Sequence, residues 1–270
     1  MVKIAHISDL HFGRTNEAAL AALIASLDEE RPDLTVITGD LTQSGRRREY
    51  REAAAFLETL SGRFLAVPGN HDAPVYNLAL RFWKPWARYE KHVGDAAIQC
   101  VSAGPVSIIG VNSARRAQPR LDWSRGRLPK PVVEASAALA RQENDAGRQV
   151  MLALHHPVAP GPGKAGEEIV RNGEYALRRF AENGVSAILT GHVHVAAAAP
   201  LASTGGRILS IQAGTAVSTR ERGEQASFGI LHVDKDQILL TTRRFAGAAF
   251  TAEPAQAFVN AGGVWSRAQG

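Results

Sequence analysis

The chain has 270 residues, and 31 Lys plus Arg against 26 Asp plus Glu leave it at +5 with histidine neutral. A hydrophobic fraction of 45% with 21% charged residues excludes a disordered or fibrous chain. One cysteine excludes an intramolecular disulfide framework and a cysteine-only metal site, so the nine histidines and the carboxylates are the available metal ligands.

The chain opens on VKIAHI, a short apolar run that reads as a buried strand ending near Asp9. Residues 17–30 carry Leu20, Leu23, Ile24 and Leu27 at helical spacing, and Pro32 marks the stop. A second strand over 34–38 ends at Gly39-Asp40. A helix over 46–60 and a strand over 64–67 then lead to Pro68-Gly69-Asn70-His71-Asp72. This alternation argues for a layered α/β sandwich whose strand ends converge on one site. The middle of the chain is less regular. Strands over 97–102 and 106–111 flank Gly104-Pro105 as a hairpin, and the stretches 74–96 and 113–130 read as surface excursions. Trp83, Trp86 and Tyr89, at helical spacing, read as packing. A helix over 132–146 precedes a strand over 150–154 that ends at His155-His156-Pro157. A helix over 167–182 and a strand over 185–189 deliver Gly191-His192-Val193-His194. Strands over 207–212, 228–233 and 237–243 follow, and from Ala246 the sequence is Ala-rich and weakly patterned. The expected division is a catalytic unit over 1–245 and a C-terminal tail over 246–270.

The N-terminal residues lack the apolar stretch of a signal peptide and no window is long enough for a spanning helix, so a cytoplasmic location is expected. A pI near 9.6 invites a nucleic-acid reading. The basic residues are scattered, however, and the densest run, Arg46-Arg47-Arg48, reads as a solvated helix face. Nucleic acid is therefore disfavoured as a partner, and a homodimer is left open.

Five segments, each following a strand, hold the metal-type residues: Asp9 and His11; Asp40; Asn70 and His71; His155 and His156; His192 and His194. Carboxylate oxygen mixed with imidazole nitrogen suits Mn, Fe or Zn. The ligands outnumber the needs of one tetrahedral ion, and two divalent or trivalent ions sharing a carboxylate is the simplest assignment.

Taken together, Asp9-Leu10-His11, the run Gly39–Gly45 (GDLTQSG), Gly69-Asn70-His71-Asp72, His155-His156 and Gly191-His192-Val193-His194 resemble the signature of the calcineurin-like metallophosphoesterase superfamily, in its order. The likeness runs from Asp9 to His194 and implies a four-layer α/β/β/α sandwich with mixed sheets. It implies that Asp9, His11, Asp40 and His194 hold one metal and that Asp40, Asn70, His155 and His192 hold the other, with Asp40 bridging. It further implies attack on phosphorus by a hydroxide bridging the metals, with His71 as general acid and Asp72 orienting it. The wording of the blocks resembles the branch of bacterial cyclic-nucleotide and glycerophosphodiester phosphodiesterases, which favours a small phosphodiester substrate. His156, Arg115 and Lys164 are candidate substrate-binding residues, and Arg116 and Arg120 lie on the same rim loops. The rival readings are a pyrophosphatase acting on a nucleotide-sugar or lipid-linked diphosphate, a DNA exonuclease, and a non-catalytic binding scaffold on the same fold.

Overall fold

A computed structural model describes residues 1–116, 124–160, 169–219 and 225–268. In chain order the strands are β1 (Val2–Ile7), β2 (Leu34–Thr38), β3 (Arg63–Val67), β4 (Gln99–Ala103), β5 (Val106–Gly110), β6 (Gln149–Ala153), β7 (Val185–Thr190), β8 (Ala197–Pro200), β9 (Leu209–Gln212), β10 (Ser227–Asp234), β11 (Gln237–Phe245), β12 (Phe250–Ala252), β13 (Gln256–Ala261) and β14 (Val264–Arg267). The helices are α1 (Glu17–Glu30), α2 (Arg47–Glu58), α3 (Leu78–Trp83), α4 (Ala87–His92), α5 (Lys130–Asp145) and α6 (Gly173–Glu182).

Both sheets are mixed. One runs β14-β13-β11-β10-β1-β2-β3 with β12 on β11, and the other runs β4-β5-β6-β7-β9-β8. Within β1, Val2 and Ile4 face one side and Ala5 and Ile7 the other, the period of two that a strand buried on both faces requires. Val2, Ile4, Val36 and Val67 meet Ile108, Met151, Leu189 and Ile211 of the second sheet in a core between the two sheets. The outer face of the first sheet is covered by Leu23 and Leu27 of α1 and Ala53 and Phe56 of α2. Val133 and Ala137 of α5 and Leu177 and Phe180 of α6 cover the outer face of the second. The result is the four-layer α/β/β/α sandwich. Each of these fully buried aliphatic side chains contributes roughly 1.5–3 kcal/mol, which makes the stack rigid enough to hold loops in register.

β1, β2 and β3 run parallel, as do β5, β6, β7 and β9, so each sheet brings several carboxyl ends to one edge. The loops leaving those ends are bonded to one another. Asp9 N–H donates to the Gly39 carbonyl at 3.1 Å, His11 N–H to Asp40 at 2.9 Å, and Gly191 N–H to His155 at 3.0 Å.

Local differences from the sequence reading have physical causes. The stretch 74–96 contains two short helices, α3 and α4, whose six-residue lengths are too short for a periodicity to show. α6 begins at Gly173, held by a 3.1 Å bond to the Val170 carbonyl, so residues 169–172 are not helical. β8, an alanine run, has no strand signal of its own and is defined by antiparallel pairing with β9. The weakly patterned stretch from Ala246 holds β12, β13 and β14. β13 pairs with β11 over Gln237–Leu240, and Phe258 and Trp265 enter the core between the sheets. No helix is long and apolar enough to cross a membrane among the described residues.

Candidate metal centre

The backbone around the ligand candidates is held in an unusual conformation. Asp9, His11, Asp40, His192 and His194 all have positive φ, between 48° and 73°. Such values strain a residue with a Cβ, and they persist where surrounding bonds over-determine them. Left-handed turns after β1, β2 and β7 turn five side chains back over the sheet edge instead of along the strands. Glycine beside them is required by space. A Cβ on Gly69 would lie 2.1 Å from Asp40 Oδ1, and one on Gly191 would lie 1.8 Å from Ser8 Oγ.

The side chains converge at Asp40. Its Oδ1 accepts the His71 N–H at 2.8 Å, which leaves Oδ2 between His11 Nε2 at 3.8 Å and His155 Nε2 at 3.4 Å. On the His11 side, Asp9 Oδ1 lies 3.6 Å from His11 Nε2 and 3.1 Å from His194 Nε2. Asp9 Oδ2 accepts from Ser8 Oγ at 2.6 Å and from His192 N–H at 2.9 Å. On the other side, His155 Nε2 is 3.2 Å from both Asn70 Oδ1 and His192 Nδ1. His155 Nδ1 donates to the Thr38 carbonyl at 2.8 Å, so the Nε2 lone pair faces the cluster.

Two observations test whether metal ions fit. Asp9 Oδ1 and both ring nitrogens of His11 are buried without a hydrogen-bond partner, a costly state that coordination of Nε2 and Oδ1 would relieve. Among the described residues, Asp9, His11 and His194 form one compact triplet of ligand atoms. Asp9, Asp40 and His155 form another that shares Asp9 with it, and the triplets His11, Asp40 and His71, and His155, His156 and His192, are equally compact. Oxygen and imidazole without sulfur suit Mn, Fe or Zn. The oxygen and imidazole donors gathered here fit bound metal ions.

The electrostatics point the same way. Burial by itself would raise the Asp9 carboxyl, but the His11 and His194 rings beside it outweigh burial and hold it well below the carboxylate range. Asp40 is likewise lowered against burial, chiefly by His155 and His71. Burial disfavours charge on His155, yet Asp40 and Asp9 overcome it and push that imidazole up to about 9. Two buried carboxylates thus create a demand for positive charge that a protonated imidazole or a bound cation satisfies. Desolvation keeps His11 below its ordinary value, which suits a neutral ligand.

His71 is half-buried at the mouth, its ring 4.9 Å from that of His11 and nearly perpendicular to it. Its Nδ1 is 2.7 Å from the Gln43 carbonyl, a contact that requires an Nδ1–H and turns the Nε2 edge away from the backbone. The carboxylate of Asp72, expected to orient His71, has its described bonds to loop groups. It accepts from Gly69 N–H at 2.9 Å, from Thr42 N–H at 2.9 Å and Oγ1 at 3.0 Å, and from Leu41 N–H at 3.3 Å. Asp72 therefore ties the loop after β3 to the loop after β2. Burial and the Asp40 charge raise it to about 6 despite those bonds.

His156, read either as a support behind the ligands or as a substrate contact, has both ring nitrogens occupied. It is fully buried, with Nε2 donating to the Ser124 carbonyl at 2.7 Å and Nδ1 at 2.9 Å from Ser113 Oγ. Burial, then the neighbouring His192 and His155, keep its pKa well below the ordinary value. It packs 4.7 Å from the His192 ring and supports that residue from behind. Arg115 lies near Arg127 and Arg171, and burial together with those two cations lowers its pKa. Lys164 and Arg120 lie outside the described residues. Sequence reading passed over Gln43, Ser8 and Ser113. Gln43 stood within a motif block, but its role rests on a backbone carbonyl, and Ser113 comes from the loop after β5, which carries no motif.

Residues 2–196 match the model of a family described as calcineurin-like phosphoesterase. A protein named probable glycerophosphodiester phosphodiesterase, from Arcobacter nitrofigilis, is 30% identical over 173 residues, covering 61% of this chain and 57% of that protein. This chain therefore spans less than two thirds of that relative. A probable cyclic nucleotide phosphodiesterase from Synechococcus is 28% identical over 208 residues, covering 72% of this chain and 74% of that protein. A dimetal phosphatase structure from Danio rerio superposes with a TM-score of 0.67 at 14% identity, covering 93% of this chain and 98% of that one, and shows a shared fold.

Proposed function

This chain belongs to the calcineurin-like phosphoesterase family, and from that membership we propose that it is a metal-dependent phosphodiesterase acting on a small phosphodiester of the cyclic-nucleotide or glycerophosphodiester kind. The observation that carries the reading is Asp40 Oδ2, poised between His11 Nε2 and His155 Nε2 at the meeting of two ligand sets. Asp9, His11, Asp40 and His194 would hold one ion, and Asp40, Asn70, His155 and His192 the other. The chemistry such a pair supplies is Lewis-acid polarisation of the phosphoryl oxygens and activation of water at neutral pH.

The protein's own groups do the rest. Thr38 and Ser8 orient His155 and Asp9, so that lone pairs face the ions without reorganisation. Asn70 offers a neutral oxygen, which limits the negative charge of the second set. His71, fixed by Gln43 at Nδ1, presents Nε2 as the atom through which a proton passes to the leaving alkoxide. Arg115, with Arg127 and Arg171 nearby, gives the rim a positive field for the anionic remainder of the substrate. The Arcobacter and Synechococcus relatives, both named as phosphodiesterases, support a diester over a monoester.

The test is hydrolysis by protein loaded with Mn²⁺. Bis(p-nitrophenyl) phosphate is expected to turn over faster than p-nitrophenyl phosphate, and hydrolysis of neither would overturn the enzymatic reading. A panel of cyclic nucleotides, glycerophosphodiesters and nucleotide-sugar diphosphates then separates the substrate classes.

A further inference from the structure

The sequence of α3, LALRFW, is turned inside out. Its one charged residue, Arg81, is 2% exposed, while Leu78, Phe82 and Trp83 are 52%, 47% and 82% exposed. The inversion is held in place from within. The Arg81 guanidinium donates to the Arg116 carbonyl at 2.7 Å, to Ala73 at 3.0 Å and to Pro74 at 3.3 Å. Leu78 and Phe82 share one side of the helix because residues four apart fall on the same face, and Trp83, the last residue of α3, is exposed beside them. Tyr76, 71% exposed, extends this face toward the N-terminus. Surface apolar residues are ordinary when scattered, but four large ones within eight positions, three of them aromatic, mark a surface that something covers.

Charge identifies what covers it. The apolar face is edged by cations: the Arg46 guanidinium sits 4.5 Å over the Tyr76 ring, Arg116 reaches the Phe82 carbonyl at 3.4 Å, and Lys84 caps α3. Apart from the buried Arg81, residues 74–93 contain three Lys or Arg and a single acid, Glu90. A second copy meeting this face across a two-fold axis would set that cationic edge against its own image. An anionic lipid surface matches it, since aromatic and aliphatic tips flanked by Lys and Arg enter the headgroup boundary while the cations face phosphate. The segment also begins at the rim of the metal centre. Val75 N–H bonds to the Ser44 carbonyl, and Asp72 is only three residues upstream.

We propose that α3 and its flanks dock this protein on an anionic membrane surface, with Leu78, Phe82 and Trp83 entering the lipid boundary and Arg46, Lys84 and Arg116 facing the headgroups. This docking presents the mouth beside His71 to the lipid–water interface. It stands independently of the hydrolytic reading, because binding is measured without turnover.

The experiment is flotation of the full chain with vesicles of phosphatidylcholine alone and of phosphatidylcholine mixed with phosphatidylglycerol. The protein is expected to float with the mixed vesicles only, less so at high salt, and with a blue shift of tryptophan emission that Trp83→Phe removes. Phe82→Ser with Trp83→Ser should lower the bound fraction more than about tenfold, with melting temperature and diester hydrolysis in vesicle-free buffer unchanged. Lys84→Gln and Arg116→Gln should each lower it about fivefold. Failure of the wild type to float, or undiminished flotation of the double variant, would overturn docking. So would a dimer seen by sedimentation that the double variant dissolves, which would assign the face to a second copy.

Discussion

Gly69→Ala adds one carbon to the molecule and should disable the site. The new Cβ would lie 2.1 Å from Asp40 Oδ1, 2.4 Å from the Asp40 amide nitrogen and 2.8 Å from Asp40 Cγ, all under the 3.0 Å that real Cβ contacts keep. None of these atoms yields easily. Oδ1 is held by the His71 N–H, and the amide nitrogen belongs to the backbone of Asp40, itself strained at positive φ. Relief therefore needs the loop carrying Asn70 and His71 to move away from Asp40 by about 1 Å, a misplacement that costs on the order of 10²-fold in rate. Overpacking of this kind costs about 1–3 kcal/mol, or a fall in melting temperature of about 2–10 °C for a chain this long. The measurements are hydrolysis of bis(p-nitrophenyl) phosphate with Mn²⁺, metal content after dialysis, and thermal melting. Gly62→Ala is the control, because its added carbon meets only the Pro32 carbonyl at 3.0 Å, at the opposite end of β3. A Gly69→Ala protein with wild-type turnover and melting would show that the loop after β3 does not set the Asp40 geometry.

Asp40→Ala is expected to strip or scramble the metal pair and lower turnover by at least about 10²–10³-fold, since it removes the one oxygen between the two ligand sets. Retention of two ions per chain by mass spectrometry would refute the bridging role. His71→Ala should keep both ions and lose most turnover, and an empty site in that variant would make His71 a ligand. Away from the site, Glu143 accepts from Arg148 Nε at 2.6 Å and from Ser107 Oγ, and these bonds lower its carboxyl to about 2 from the ordinary 4.5. Its folded value lies below its unfolded one, so its contribution to stability is present above about pH 4.5 and is lost as pH falls toward 2. Glu143→Gln should therefore flatten the fall in melting temperature between about pH 6 and pH 3, and an unchanged slope would refute the assignment.

The motif blocks were legible because the chemistry is written in residue type and order. Asp9, His11, Asp40, Asn70, His155, His192 and His194 were read as one constellation, and the structure brings all seven within reach of Asp40 or its immediate neighbours. The helix over 17–30 was legible from its apolar spacing, a helix was read over 132–146 where α5 spans Lys130–Asp145, and β1 to β3 were legible from short apolar runs. β8, β12 to β14 and α3 were not, because pairing partners or a buried arginine define them instead of a pattern of their own. The bonding partners of Asp72 and His156 were illegible for a related reason. Adjacency in sequence suggested that each serves the residue beside it or the substrate. In the fold, Asp72 ties two loops together and His156 is spent on Ser113 and Ser124.

Residue identity alone determines which chemistry is available here: imidazole and carboxylate in place of thiolate, and glycine wherever a ligand loop turns. Only the tertiary structure decides which nitrogen of each histidine faces the cluster, which oxygen of Asp40 is shared, and that α3 wears its apolar face outward. Those outcomes depend on carbonyls and hydroxyls supplied from distant strands, such as Thr38 for His155 and Gln43 for His71. A chain specifies such partners only once its sheets have been stacked and its strand ends set side by side.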